Sequence, residues 1–320
     1  MIAYVTSTRP NFSAVMALDV IRRFADHVPS QRVKQLDLFL HTDSGDSIVP
    51  WRLMTYLREY AETIHVLIPH RAFSAGTLTA LGADEIVMHP MGMLGPVDPT
   101  VHDPYGPRDE DTGQQHGVGV EDVAAYLAMV REDFGLQGPE EIIEAFRLLA
   151  DRVHPLTLGH VKRGTRQAKM LGEKLLKSRN DPPSDGDIET LLEELTRRLF
   201  FHGHPINRKE AAQLDGLPVV EPPPAVETAM WNLYLAYEED LELQTPFDAV
   251  ADALDAGAVI PKTPGSSNPV RFPALRRVLV ESVAQTDVYT NDFEVTLTRT
   301  AEGAVAANIM NRGSGWSIES

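Results

Sequence analysis

Apolar and polar positions fall into repeating blocks over the first hundred residues. Residues 2–6 form a short apolar run of strand length. Ser13 precedes a stretch in which Val15, Leu18, Ile21 and Ala25 recur at helical spacing, and its hydroxyl can accept one of the orphan amides of a helix start. Leu36, Leu38 and Leu40 alternate with Phe39 between them, so a buried strand is expected to end near His41-Thr42. A polar turn, Asp43-Ser44-Gly45-Asp46-Ser47, leads to a helical stretch from residue 50 to about 60 with Leu53, Met54 and Leu57 on one face. A strand at 64–69, a helix of small residues opened by Ser74 and a strand at 85–89 follow. Parallel strands cannot be joined by a tight hairpin, and strand–helix–strand spacing of this length supplies the crossovers they need. Residues 1–100 are therefore expected to be α/β.

The pattern then changes. Residues 103–119 are polar and rich in Gly and Asp, which reads as a loop. From 121 to 201 the apolar spacing is helical, broken once by the Pro- and Asp-rich stretch 179–187. Pro222-Pro223-Pro224 marks a boundary, because consecutive prolines continue neither a helix nor a central strand. Beyond it, a helix near 225–240 and strand-like runs over 276–298 suggest an antiparallel unit. The expected organisation is a core domain over 1–220, with the 103–119 loop and the 121–201 helical segment inserted, and an α+β extension over 221–320. No internal sequence repeat is visible.

Composition narrows the chemistry. With 29 Lys+Arg against 46 Asp+Glu the formal net charge is −17, a field that repels polyanions and argues against nucleic acid as a partner. The chain has no cysteine, which removes disulfides, thiolate nucleophiles and Cys-ligated zinc. The eleven histidines show no HExxH spacing, and no GxxxxGK[ST] phosphate loop occurs, so neither a catalytic metal nor an ATPase site is expected, and no cofactor is called for. No window approaches the roughly 20 apolar residues of a membrane span, and the expected setting is the cytoplasm.

Three features between 36 and 99 carry chemistry in order: the turn 42–46, Phe73-Ser74-Ala75-Gly76-Thr77 at a helix start, and Leu94-Gly95-Pro96-Val97-Asp98-Pro99. A serine at a strand-to-helix turn projects its Oγ beside free helix amides that can stabilise an oxyanion. Small side chains at Ala75 and Gly76 let a substrate backbone approach, and the turn at Gly45 or Asp46 can supply a second donor. A lone Ser-Ala-Gly is also the ordinary chemistry of an N-cap, so the ordered set matters more than the tripeptide.

That set, SAGTLTALGADEIVMHPMGMLGPVDP with LDLFLHTDSGDS before it and FHGHPINRKEAAQLDGL after it, resembles the serine dehydrogenase proteinase family. This family is related to signal peptide peptidase A and the Clp protease proteolytic subunit, and the likeness covers about 1–220. It implies a crotonase-like, Clp-like α/β fold of strand–strand–helix units and a serine peptidase. Ser74 would be the nucleophile, with Ala75 and Gly45 supplying the oxyanion amides. Related proteases usually carry paired glycines where this chain has Asp43-Ser44-Gly45. The Clp-type histidine has no counterpart within Gly95-Pro96-Val97-Asp98-Pro99, where His102 comes slightly later, and the Clp-type acid would fall near Gly203, between His202 and His204. The signal-peptidase lysine would correspond to Lys162, near His154 and His160, so Lys162 and His202 are the base candidates, against solvated or packing roles for both. The resemblance further implies a peptide or protein substrate, a homo-oligomer and a separate ATPase or adaptor partner. Two other readings stand beside the peptidase: an inactive scaffold that keeps the fold, and a crotonase-type acyl-CoA enzyme that needs only the two amides.

Overall fold

The structure is a computed structural model that describes residues 1–97, 100–101, 104–109, 113, 115–198, 204–272 and 274–319. In chain order the first part holds β1 (Ile2–Thr6), α1 (Val20–Phe24), β2 (Val33–His41), α2 (Ile48–Arg58), β3 (Ala61–Ile68), β4 (Arg71–Ala72), α3 (Ala75–Leu81), β5 (Glu85–Met88) and β6 (Met93–Leu94). A short pair, β7 (Thr100–Val101) and β8 (Val118–Gly119), flanks the polar stretch. The helical part comprises α4 (Val120–Glu132), α5 (Pro139–Arg152), α6 (Pro155–Lys177), α7 (Asp185–Glu193) and a π-helical turn over Glu194–Arg198. Then come β9 (Ile206–Asn207), α8 (Arg208–Ala211), β10 (Val219–Val220), α9 (Pro224–Asp240) and α10 (Ala249–Asp255). The chain ends with β11 (Ser267–Arg271), β12 (Leu275–Glu281), β13 (Thr286–Arg299) and β14 (Val305–Glu319).

One mixed sheet organises these elements, in the order β10-β5-β3-β2-β1-β12-β13-β11, with β14 paired to the other edge of β13. The strands from β10 to β1 run parallel, as the strand–helix spacing requires. Both faces of this half are covered, which is why its strands read as continuous apolar runs. Tyr4, Leu36, Leu38, Leu40, Ile64, Val66 and Ile68 face the main core with α2, α3 and α6. Ala3, Val5, Phe39 and Leu67 face the opposite side, where Met230, Tyr234 and Tyr237 of α9 cover them.

Two differences from the sequence expectation have physical causes. The helical spacing from Ser13 to Ala25 yields a helix only over α1, while the backbone of Met16 pairs with Gly45 in a parallel bridge. A tertiary hydrogen-bond partner for Met16 outweighs a weak local helix preference. The residues after Pro224 also continue the central sheet, because β12 pairs antiparallel with β1 from Ala3↔Glu281 to Thr6↔Val278. The antiparallel unit over 276–298 is present as β12 and β13. Its third long strand, β14, has few large apolar residues and an exposed burial pattern, so it left little periodic signal.

The far end of α3 is held as firmly as its start. The guanidinium of Arg179, 7% exposed, donates through Nε to Leu81 O (2.7 Å) and through Nη1 to Gly216 O (2.6 Å), satisfying a carbonyl that the helix end leaves orphaned. Beside it, Asp84 accepts both guanidinium nitrogens of Arg58 and the amides of Ile64 and Asn180. These bonds, chiefly the Arg58 pair, outweigh its burial and hold the carboxyl below the usual range.

Candidate active site

Ser74 stands between β4 and α3 with φ 51° and ψ −106°. This is positive-φ backbone outside the left-handed helical basin, so a residue with a Cβ occupies it at a cost. The surroundings impose it. Thr42, just past β2, accepts from Phe73 N (3.0 Å) and donates its own amide to Arg71 O (3.0 Å), which clamps the chain on both sides of Ala72. Immediately after Ser74, α3 begins, and all seven of its residues are buried.

Small residues make the close approach possible. A Cβ on Gly76 would lie 2.8 Å from Thr42 Cγ2 and 3.2 Å from Ala72 Cβ, so the helix start leaves no room for any side chain there. Thr77, wholly buried, has its hydroxyl 2.8 Å from the carbonyls of Ala72 and Gly95, and it accepts the Gly95 amide at 3.0 Å. This single hydroxyl pins the Gly95-Pro96 turn to the base of the Ser74 elbow. The small sheet β4-β6-β9 closes the same region, with Arg71 beside Met93 and Leu94 beside Ile206.

The polar turn after β2 is held from the other side. Thr6 donates to the Thr42 hydroxyl at 2.8 Å, which in turn donates to Ser44 O at 3.1 Å. Met16 donates to Ser44 O and accepts from Asp46 N, both at 2.9 Å. Those bonds use the groups on either side of Gly45, so the Gly45 amide is directed away from Met16. A Cβ on Gly45 would meet Met16 Cβ at 2.4 Å, which explains why a glycine stands in this turn. Asp43 pairs with Arg71 at 2.9 Å. Burial nonetheless pushes its carboxyl up, against the downward pull of Arg71.

Ser74 is half-buried, and neither its hydroxyl nor the Ala75 amide makes a hydrogen bond among the described residues. An unspent hydroxyl beside an unspent helix-start amide can attack a carbonyl carbon and stabilise the oxygen that becomes negative. Lys162 lies on the exposed side of α6, and its ammonium makes no hydrogen bond to Ser74 or to any other described residue. That helix passes the mouth of the turn, because Gln167 Nε2 donates to Ser47 Oγ at 3.1 Å; Lys162 is about 7.5 Å further along its axis. His202 lies outside the described residues, as do Asp98 and His102. Its neighbour His204 pairs with Glu210 at 2.8 Å.

The histidines at the strand ends belong to the other face of the sheet. His41, wholly buried, stacks on His70 at 5.8 Å; His70 Nδ1 lies 2.7 Å from the Tyr234 hydroxyl, and His89 stacks on Trp231 at 4.8 Å. Desolvation is the main reason that His41 is lowered to about 3 and His70 to about 4, and the nearby charge of Arg71 lowers both further. They are packing residues held neutral, on the side away from α3. Sequence reasoning missed the bracing roles of Thr42, Thr77 and Met16, for which the only sequence signal is their nearness to the chemical motifs. No cluster of three or more His, Asp or Glu able to hold a metal occurs among the described residues. No helix among them is long and apolar enough to cross a membrane.

Two uncharacterized proteins of Methanocaldococcus jannaschii are similar to the chain: one is 25% identical over 179 residues, which are 56% of this chain and 50% of the relative. The other is 27% identical over 202 residues, 63% of this chain and 59% of the relative. The chain thus spans about half to three-fifths of the length of these relatives. Among solved structures, a mutant of the 1510-N membrane-bound stomatin-specific protease aligns with 66% of this chain and 76% of its own at 14% identity and a TM-score of 0.35. Another mutant, with a substrate peptide, aligns with 67% of this chain and 90% of its own at 13% identity and a TM-score of 0.24. Residues 16–132, the stretch that holds the Gly45 turn, Ser74 and α3, match the model of the ClpP-like SDH-type serine proteinase family, the resemblance that the ordered motifs carry.

Proposed function

We propose that the protein hydrolyses peptide bonds through an acyl-enzyme on Ser74. The observation that carries this reading is the Ser74 elbow: a strained backbone, with a hydroxyl and a following amide that have no hydrogen-bond partner among the described residues. The match of 16–132 to a serine proteinase family supports the same reaction class. In the first half-reaction Ser74 Oγ bonds to the substrate carbonyl carbon while its proton passes to a base. The carbonyl oxygen takes the negative charge and is held by the amides of Ala75 and Gly45. The C–N bond then breaks, the proton goes to the leaving amine, and an ester remains on Ser74. Water, deprotonated by the same base, opens that ester and frees the acid. Lys162 and His202 are the candidates for the base.

The wider setting belongs to the same proposal. The core over 1–220 is a crotonase-like arrangement of strand–strand–helix units, followed by the 221–320 extension. The protein is a cytoplasmic homo-oligomer that receives peptide or unfolded protein, with a separate ATPase or adaptor where folded substrates are used. One observation favours the scaffold reading instead: among the described residues no Lys or His reaches Ser74 Oγ. Intact-mass spectrometry after treatment with a fluorophosphonate decides between them. A single adduct on the wild type that is absent from Ser74→Ala establishes an activated serine. Lys162→Ala and His202→Ala then show which side chain activates it. A folded wild type that takes no adduct between about pH 6 and 9 refutes the peptidase and favours the scaffold, with acyl-CoA binding as the test of the crotonase-type enzyme.

A further inference from the structure

The first two-thirds of α6 carries charge of the opposite sign to the rest of the chain. From residue 155 to 172 it has no Asp or Glu but four cations, Lys162, Arg163, Arg166 and Lys169, in a protein whose net charge is −17. The first three are exposed, and none of the four side chains makes an ion pair or hydrogen bond among the described residues. Many cations elsewhere pair with a carboxylate of their own chain, as Arg9, Arg58, Arg71 and Lys177 do.

Packing sets where this charge lies. Lys174 sits over the Trp51 ring of α2 at 5.4 Å, and Gln167, two turns earlier, donates to Ser47 Oγ at 3.1 Å. Gly172 approaches the end of α3, where a Cβ on it would lie 3.5 Å from Leu81 Cδ1. Going back along α6 therefore leads from the end of α3 toward its start, and from α2 toward the turn that holds Gly45. Ser74 lies about 10 Å from Leu81 along the α3 axis, which brings it level with the middle of the cationic stretch. Arg163 is one turn before Gln167 on the same side of α6, so it continues that row past Ser47 toward the 43–46 turn, and Arg166 stands on the adjoining crest.

We propose that α6 is the docking helix of the Ser74 site and selects polypeptide segments with acidic side chains beside the bond to be cut, Arg163 and Arg166 receiving the carboxylates. That role in hydrolysis rests on the peptidase reading, whereas the docking itself involves no chemistry. The cations have no ion pair of their own to break, and they reverse locally a field that otherwise repels an acidic segment. From Lys162 to Lys169 the charge spans about 10 Å, the reach of about three extended residues, which fits a short acidic segment better than the long phosphate track of a nucleic acid. Exposed pairs are weak singly and screened by salt, so the selectivity is modest, cumulative and dependent on ionic strength.

Fluorescence anisotropy on full-length Ser74→Ala tests the docking without turnover. The probes are two rhodamine-labelled peptides of one apolar sequence whose three central residues are all Glu in one and all Gln in the other. In about 50 mM salt the Glu peptide should bind about fivefold more tightly or better, and about 0.5 M salt should bring the ratio below about twofold. Arg163→Gln combined with Arg166→Gln should bring the ratio below about twofold at low salt as well. Lys34→Gln combined with Lys177→Gln, which removes the same charge elsewhere, should leave the ratio near its original value. Equal binding of the two peptides, no binding of the Glu peptide to the folded protein, a ratio that survives loss of Arg163 and Arg166, or an equal fall on loss of Lys34 and Lys177 overturns the proposal. So does a poly-dT oligonucleotide that binds more tightly than the Glu peptide. Fluorophosphonate labelling of the wild type reads the peptidase independently: an adduct without a Glu preference refutes the docking alone, and a Glu preference that depends on Arg163 and Arg166 without an adduct refutes the peptidase alone.

Discussion

Replacing Ser74 by glycine and, separately, by alanine isolates the strain in the elbow. At φ 51° and ψ −106° the Cβ of residue 74 sits in sparsely populated backbone space, a state that costs about 1–3 kcal/mol. Alanine keeps that Cβ and therefore the strain, whereas glycine removes it. Glycine also makes the unfolded chain more flexible, which returns about 0.5–1 kcal/mol. The hydroxyl makes no hydrogen bond among the described residues, so its loss is common to both variants and cancels. The expected net result is a glycine variant more stable than the alanine variant by about 0.5–2 kcal/mol. Urea unfolding followed by circular dichroism measures the difference directly, provided the two variants share the same m value. Neither variant should react with a fluorophosphonate. If the alanine variant proves equally or more stable at equal m, then the elbow is not strained and its backbone needs another explanation.

Gly45→Ala forces a Cβ to within 2.4 Å of Met16 Cβ, so the turn and the 14–17 segment must part. Overpacking of this kind costs about 1–3 kcal/mol, and displacement of an oxyanion donor should slow Ser74 labelling by about two orders of magnitude; stopped-flow labelling of the folded fraction reads this. His27 is a structural tie, with Nε2 2.9 Å from buried Asp287 and Nδ1 2.9 Å from Ser282 in the β12–β13 turn. His27→Ala removes one partner of that carboxylate and leaves Gln285 Nε2 at 2.6 Å and Arg23 Nη1 at 3.5 Å, so it should lower unfolding free energy by about 1–3 kcal/mol, whereas unchanged stability would show that those two partners suffice to compensate it. Stability should also fall with acid: unfolded histidines protonate near pH 6.5, while His70 resists until about 4 and His41 until about 3. The unfolded chain then binds more protons, so stability is flat above about pH 6.5 and drops as pH falls below it. His41→Gln should flatten that slope in a series of urea unfolding curves.

The parallel half of the sheet was legible because its information is local. Leu36, Leu38 and Leu40 alternate, and Ile64, Val66 and Ile68 repeat the pattern, so strand identity and the need for crossovers follow from short windows of sequence. Ser74 stood out for a related reason: the turn, the serine before small residues and the Gly95-Pro96 turn occur in a fixed order within sixty residues of one another. The matched family stretch, 16–132, contains all three.

Other features depended on contacts between distant residues. The spacing of Val15, Leu18 and Ile21 reads as a helix, yet Met16 is extended because its backbone has a better partner in the 44–46 turn. The pairing of β12 with β1 joins residues separated by most of the chain, and no local pattern specifies which edge a late strand will extend. His41 and His70 look alike in sequence to any candidate base, but strand alternation turns His41 toward α9, and His70, in the turn after β3, meets Tyr234 of that helix, where burial keeps both neutral. By itself, then, the sequence determined the alternating strands, the glycine-bearing turn and the serine at a helix start, because each is written within a few residues. Only the tertiary structure decided the backbone strain at Ser74, the direction of the Gly45 amide and the desolvation of the histidines, because each depends on groups brought together from far along the chain.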